Sequence, residues 1–192
     1  DVMILWDMAH GQGGYYDWST IIADLASRGA TVTQSYDAIT PELLADYDIL
    51  WSSDCSATWT PDELAALSDW VRSGGGLLLE GDNGSTVTAF NSILTSLGAG
   101  ILYSDVDGVS GITANVYDHE VTEGVSEILL DANVAHLSSV EAPAMRLVDD
   151  TAGVASLACS EIQRGRVIVM ADEVFFDGHI GAADNQLFAN QV

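Results

Sequence analysis

Five acids in this 192-residue chain follow short apolar runs closely enough to share one chemistry. Asp7 follows Ile4-Leu5-Trp6, Asp54 follows Ile49-Leu50-Trp51, Glu80 and Asp82 follow Leu77-Leu78-Leu79, and Asp172 follows Val167-Ile168-Val169-Met170. Carboxylates gathered in this way offer oxygen ligands to a hard cation, Ca²⁺ or Mg²⁺, and the candidate metal set is Asp7, Asp54, Asp82 and Asp172. The competing role is local: an acid after a strand commonly accepts hydrogen bonds from turn and helix-start N–H groups. His10 adds a candidate general acid or base whose ring Asp7 would orient. The candidate ligand-binding set is therefore Asp7, His10, Gln12, Asp54, Asp82 and Asn83, and the candidate catalytic residues are His10, Asp82 and Asp172.

Positioning these groups together requires particular elements. Apolar runs of this length, separated by helical patterns, read as strands buried on both faces, the mark of a parallel sheet. Strands are expected near residues 2–6, 30–34, 48–52, 77–80, 144–148, 154–159 and 166–170. Helices are expected near 16–27, 61–73 and 86–97, with a short one opened by Thr40-Pro41-Glu42 and a last one starting near residue 182. Thr60-Pro61-Asp62-Glu63 carries the same opening chemistry, a capping residue followed by Pro at the first helical position. From 98 to about 131 the periodicity breaks up. Strict alternation of strand and helix implies right-handed crossovers and a three-layer, doubly wound, mostly parallel sheet of flavodoxin-like character. Ligands of such sheets bind outside the carboxyl ends of the strands, where the acids fall.

Other patterns are excluded or left open. The glycines after His10 do not complete G-x-G-x-x-G, because Tyr16 stands at the last position. Asp105-Val106-Asp107-Gly108 does not continue as a calcium loop, since Ser110 and Val116 occupy the Gly and Glu positions. Cys55 and Cys159 lack zinc spacing and are either buried thiols or one disulfide. His119 is expected to fix its loop, and His179 to lie near Asp172, either as a solvated loop histidine or as a replacement base. Trp59, Tyr15 and Tyr16, beside the acids, are the aromatic platforms a sugar would need.

The chain holds 29 acidic residues against five basic ones, all Arg, for a formal charge of −24. Such a surface repels phosphate backbones and anionic lipid, which excludes nucleic acid and membrane surfaces as partners. No run is long and apolar enough for direct membrane insertion. Other domains of the same polypeptide, a protein or a carbohydrate remain. An extracellular or cell-surface location rich in divalent cations accounts for the acidity; so does the cytoplasm of a high-salt organism. The chain opens directly in a strand and closes in a helical pattern, so residues 1–192 are expected to be one domain of a longer protein.

Four phrases in order, Leu5-Trp6-Asp7 with His10-Gly11-Gln12, residues 70–82, residues 119–125 and residues 165–172, resemble the class I glutamine amidotransferase-like superfamily. The resemblance is strongest to its non-catalytic branch, the ThuA-like proteins and the amidotransferase-like domain of intraflagellar transport proteins. Active members place a nucleophilic Cys in a G-x-C-x-G turn, where this chain has Glu80-Gly81-Asp82-Asn83-Gly84, and a His after the last core strand, where it has Asp172 and Glu173. A carboxylate cannot form the thioester that glutamine hydrolysis passes through. The resemblance thus implies a degenerate site in a non-catalytic binding module. The competing expectation is a hydrolase using the crevice carboxylates with His10 and a divalent metal.

Overall fold

In the first half of the chain each apolar run becomes a strand and each stretch between becomes a crossover. The computed structural model describes residues 1–11, 15–81, 84, 86–104, 106–131 and 134–192. β1 (Met3–Asp7) leads through a 3₁₀ turn (Tyr15–Trp18) into α1 (Ser19–Ser27), β2 (Thr31–Ser35), the one-turn α2 (Pro41–Leu44) and β3 (Ile49–Ser53). Then follow α3 (Pro61–Arg72), β4 (Gly76–Glu80) and α4 (Val87–Leu97). The expected boundaries at both Thr-Pro openings hold: Thr40 and Thr60 cap their helices, and Thr60 with Glu63 forms a full capping box.

Where periodicity fails after residue 98, the chain forms two small antiparallel pairs. One is β5 (Ile101–Ser104) with β8 (His136–Val140), the other β6 (Gly111–Thr113) with β7 (Ile128–Leu130). The chain then returns through β9 (Met145–Asp149), β10 (Ala155–Ile162), β11 (Gly165–Met170) and α5 (Asn185–Ala189). The main sheet has seven strands in the order β2-β1-β3-β4-β11-β10-β9, parallel from β2 to β11 and antiparallel at its last two pairings. The protein is an α/β domain of doubly wound type.

Register sorts the side chains into two cores. Leu5, Leu50, Leu77 and Val167 are consecutive cross-strand partners and lie in the core covered by α3 and α4. One residue further along, Trp6, Trp51, Leu78 and Ile168 form the matching row on the opposite face, under α1 and α5. The period of two in side-chain direction makes both faces apolar, so these strands read as continuous apolar runs. The connection from β1 runs to β2 on one side and that from β3 runs to β4 on the other, which opens a crevice between the carboxyl ends of β1 and β3.

Candidate functional site

His10 sits at that crevice and is enclosed. The chain leaves β1 at Asp7, and His10 Nδ1 lies 2.9 Å from Asp7 Oδ2 and 3.1 Å from Oδ1. Its Nε2 lies 3.2 Å from Oε1 of Glu63, in the first turn of α3. Both partners are carboxylate oxygens, which only accept, so both ring nitrogens carry protons and His10 is an imidazolium. Burial opposes that charge, but hydrogen bonding and charge from Asp7, joined by Glu63, outweigh it and raise the pKa above its ordinary 6.5. Glu63 is likewise drawn below its usual range: burial acts against ionisation, and the Thr60 and Ile39 N–H groups, the Thr60 hydroxyl and the His10 charge overcome it.

Trp59 closes the site from above, stacked on the His10 ring at 4.0 Å with 8° between planes, a geometry in which the ring face attracts a cation. The indole N–H of Trp59 donates to Cys55 Sγ at 3.2 Å. Cys55 is fully buried, and burial pushes its thiol up to about 11. It is therefore a protonated thiol at neutral pH, and His10 has no free lone pair with which to activate it. Asp7, His10, Trp59 and Glu63 are all less than a tenth exposed.

A second carboxyl is buried one strand over. Glu80 ends β4; its Oε2 accepts the indole N–H groups of Trp18 and Trp51 at 3.0 and 3.1 Å, and its Oε1 accepts the Phe175 N–H at 2.9 Å. Burial, which outweighs these donors, pushes Glu80 up to about 8, with the charge of Asp54 adding to the rise. Asp54 stands after β3 in the left-handed region at φ 49°, its N–H bonded to the Glu80 carbonyl at 2.8 Å and its Oδ1 buried without a partner among the described residues.

Of the remaining rim residues, Asp172 follows β11 and accepts the N–H groups of Asp131 and Glu173 at 2.8 and 2.9 Å. Burial nevertheless lifts it to about 6. Asp7, Asp54 and Asp172 thus share the carboxyl edge of the parallel strands, as their spacing predicts. Gln12, Asp82 and Asn83 lie outside the described residues. Among the described residues no group of three or more His, Cys, Asp or Glu is arranged to hold a metal ion.

Residues 10–192 match the model of a family described as Domain of unknown function (DUF4350). The chain belongs to that family. No curated protein sequence matches this DUF4350 chain. Its fold is similar to that of the mmIFT52 N-terminal domain, with a TM-score of 0.83, 18% identity, and coverage of 97% of this chain and 94% of that one. It is also similar to the cytoplasmic protein STM3548 from Salmonella typhimurium, with a TM-score of 0.60, 15% identity and coverage of 97% and 98%. A third similar structure is the β-galactosidase from Bacillus circulans sp. alkalophilus, with a TM-score of 0.62 and 12% identity. There the match covers 97% of this chain but only 31% of the larger protein. At these identities the likeness is one of fold.

Elsewhere in the DUF4350 domain the sequence's other candidates lie outside the triad. His119 accepts the Val121 N–H at Nδ1, 3.3 Å away, so its Nε2 carries the proton and faces Cys159 Sγ at 3.5 Å. The imidazole donates to this sulfur and is not its base. Cys55 and Cys159 are both free and buried, in opposite cores. His179 reaches Asp131 Oδ2 at 3.4 Å and the Glu173 carbonyl at 3.0 Å. Tyr15 packs edge-on against Trp6, and Tyr16 is 80% exposed. Sequence reading missed Glu63 as the second partner of His10; its capping role was visible, but contact between a helix start and a loop some fifty residues earlier leaves no local signature.

Proposed function

We propose that this domain is a non-catalytic protein-binding module with a degenerate amidotransferase-like crevice, working as one part of a larger secreted or surface protein. The observation that carries the reading is the pairing of both His10 ring nitrogens with carboxylates. A general base needs a free lone pair directed at substrate, and the ion triad Asp7–His10–Glu63 leaves none while Trp59 covers the ring. The buried thiol of Cys55, beside the triad, cannot be the nucleophile for the same reason. The likeness to mmIFT52, whose matching portion is an N-terminal domain, and to one third of a β-galactosidase supports use of this fold as a part of longer chains. The resemblance of the sequence to the non-catalytic amidotransferase-like branch supports it further.

The purified protein and its His10→Ala variant are compared for release of ammonia from glutamine and for turnover of p-nitrophenyl esters, phosphates and glycosides, alongside urea unfolding. Neither protein turns substrate over. The variant loses about 3–5 kcal/mol of stability, because two carboxylates remain buried without their cation. Turnover by the wild type that His10→Ala abolishes would sink this reading.

A further inference from the structure

The two edges of the seven-stranded sheet are finished differently. At one edge β9 is sealed by residues 115–117: Val116 bridges Val148, the Tyr117 N–H donates to the Leu147 carbonyl, and the Asp149 N–H donates to the Asn115 carbonyl, both at 2.9 Å. At the other edge β2 pairs with β1 in five consecutive registers without a bulge. Thr31 N–H donates to Val2 and the Ser35 carbonyl accepts from Met8, so Thr31, Thr33 and Ser35 turn their backbone groups toward β1. By alternation, Val32 and Gln34 turn theirs outward, and no backbone partner meets them among the described residues. The strand is Thr-Val-Thr-Gln-Ser, without charge, Pro or bulge, the devices that ordinarily blunt an edge.

Charge decides what such an edge accepts. A second copy of this chain brings another −24, so like-charge repulsion opposes pairing of two copies along this edge. Arg28, just before β2, is already paired with Asp24 at 2.9 Å, and Asp37 just after it is exposed. We propose that β2 is a docking edge for an extended Lys/Arg-rich segment of a partner protein, which adds as an eighth strand beside Val32 and Gln34. The assignment rests on the protein-binding reading above and names its partner class: main-chain hydrogen bonds hold the segment, and the acidic field of the domain attracts it.

The test uses fluorescence anisotropy with a labelled peptide of about eight residues alternating Lys with Thr and Val, a length matched to a typical strand. Controls are its Glu-for-Lys analogue and a version broken by Pro. Two variants of the full chain are compared: Gln34→Pro, which removes an outward N–H without touching the β1 ladder, and Gln34→Lys, which adds a guarding charge; thermal melts confirm that each is folded. The wild type binds the basic peptide alone, added NaCl weakens the binding, and either variant lowers affinity by about tenfold or more. Binding that survives both variants removes the edge from the proposal while leaving protein binding standing. Equal binding of the acidic peptide, wild-type dimerisation through β2, or no binding at all overturns the edge assignment, and the crevice reading is decided separately by the turnover assay.

Discussion

Two buried carboxyls meet opposite fates because of what faces them. Glu63 touches an imidazolium and three N–H or O–H donors and is held ionised; among the described residues Glu80 touches only neutral N–H donors, two of them indoles, and is pushed up to about 8. Ionisation of Glu80 therefore changes the charge directly on the indoles of Trp18 and Trp51. Tryptophan emission followed from pH 6 to 10 is expected to show a transition near pH 8 in the wild type that is missing from Glu80→Gln. A transition of equal size in the variant would assign it to another group. At this scale legibility was partial. The pairing of Asp7 with His10 follows from three residues of separation, and the strand-end placement of Asp54 and Asp172 from the apolar runs before them. Glu63 and the indole partners of Glu80 come from distant elements, and no spacing within the sequence carries that contact.

The elements were more legible than the site because their causes are local. Runs such as Leu77-Leu78-Leu79 must be buried on both sides, and Thr60-Pro61-Asp62-Glu63 supplies a cap, a fixed φ and acids for the first helical turn. The small pairs β5–β8 and β6–β7 escaped because short strands joined across long loops leave too few residues for a period to show. The turn joining β10 to β11 illustrates a constraint of a different kind. Gly165 lies against the end of α3, where an added Cβ would stand 1.9 Å from the Val71 carbonyl oxygen and 2.5 Å from that of Gly75. Both obstacles are backbone, so neither can swing aside. Gly165→Ala is expected to cost about 1–3 kcal/mol in urea unfolding, as overpacking does. Gly153→Ala, at a surface turn with open space around the missing Cβ, probes positive-φ strain alone, without a clash. A Gly165→Ala protein as stable as the wild type would mean that the α3 end yields freely.

Over the whole molecule, buried ionisation and surface repulsion act in the same direction. Glu80 and Asp172 have folded pKa values, about 8 and about 6, above their ordinary 4.5 and 3.8. For each, the unfolded chain releases a proton that the folded one still holds, so stability is lost as pH rises through the interval between the two values. His10, with a raised pKa, contributes stability that is complete below 6.5 and is lost as pH rises through its folded value. The lowered groups Glu63, Asp177 and Asp184 oppose this only at the acid end, where stability falls as pH drops through their folded values. Self-repulsion among 29 acids against five Arg also grows as the carboxyls ionise. The melting temperature is therefore expected to peak on the acid side of neutrality and to fall between about pH 4.5 and 8, by several degrees for a domain of this size. Salt separates the two contributions. Molar NaCl screens surface charges over about 3 Å and raises the melting temperature at pH 8, but it does not reach Glu80 or the Asp7–His10–Glu63 triad. Calorimetry across pH at low and high NaCl should thus give two curves displaced from each other that both still decline toward alkaline pH. A high-salt curve flat through pH 8 would place the whole effect at the surface and leave the buried carboxyls without energetic weight.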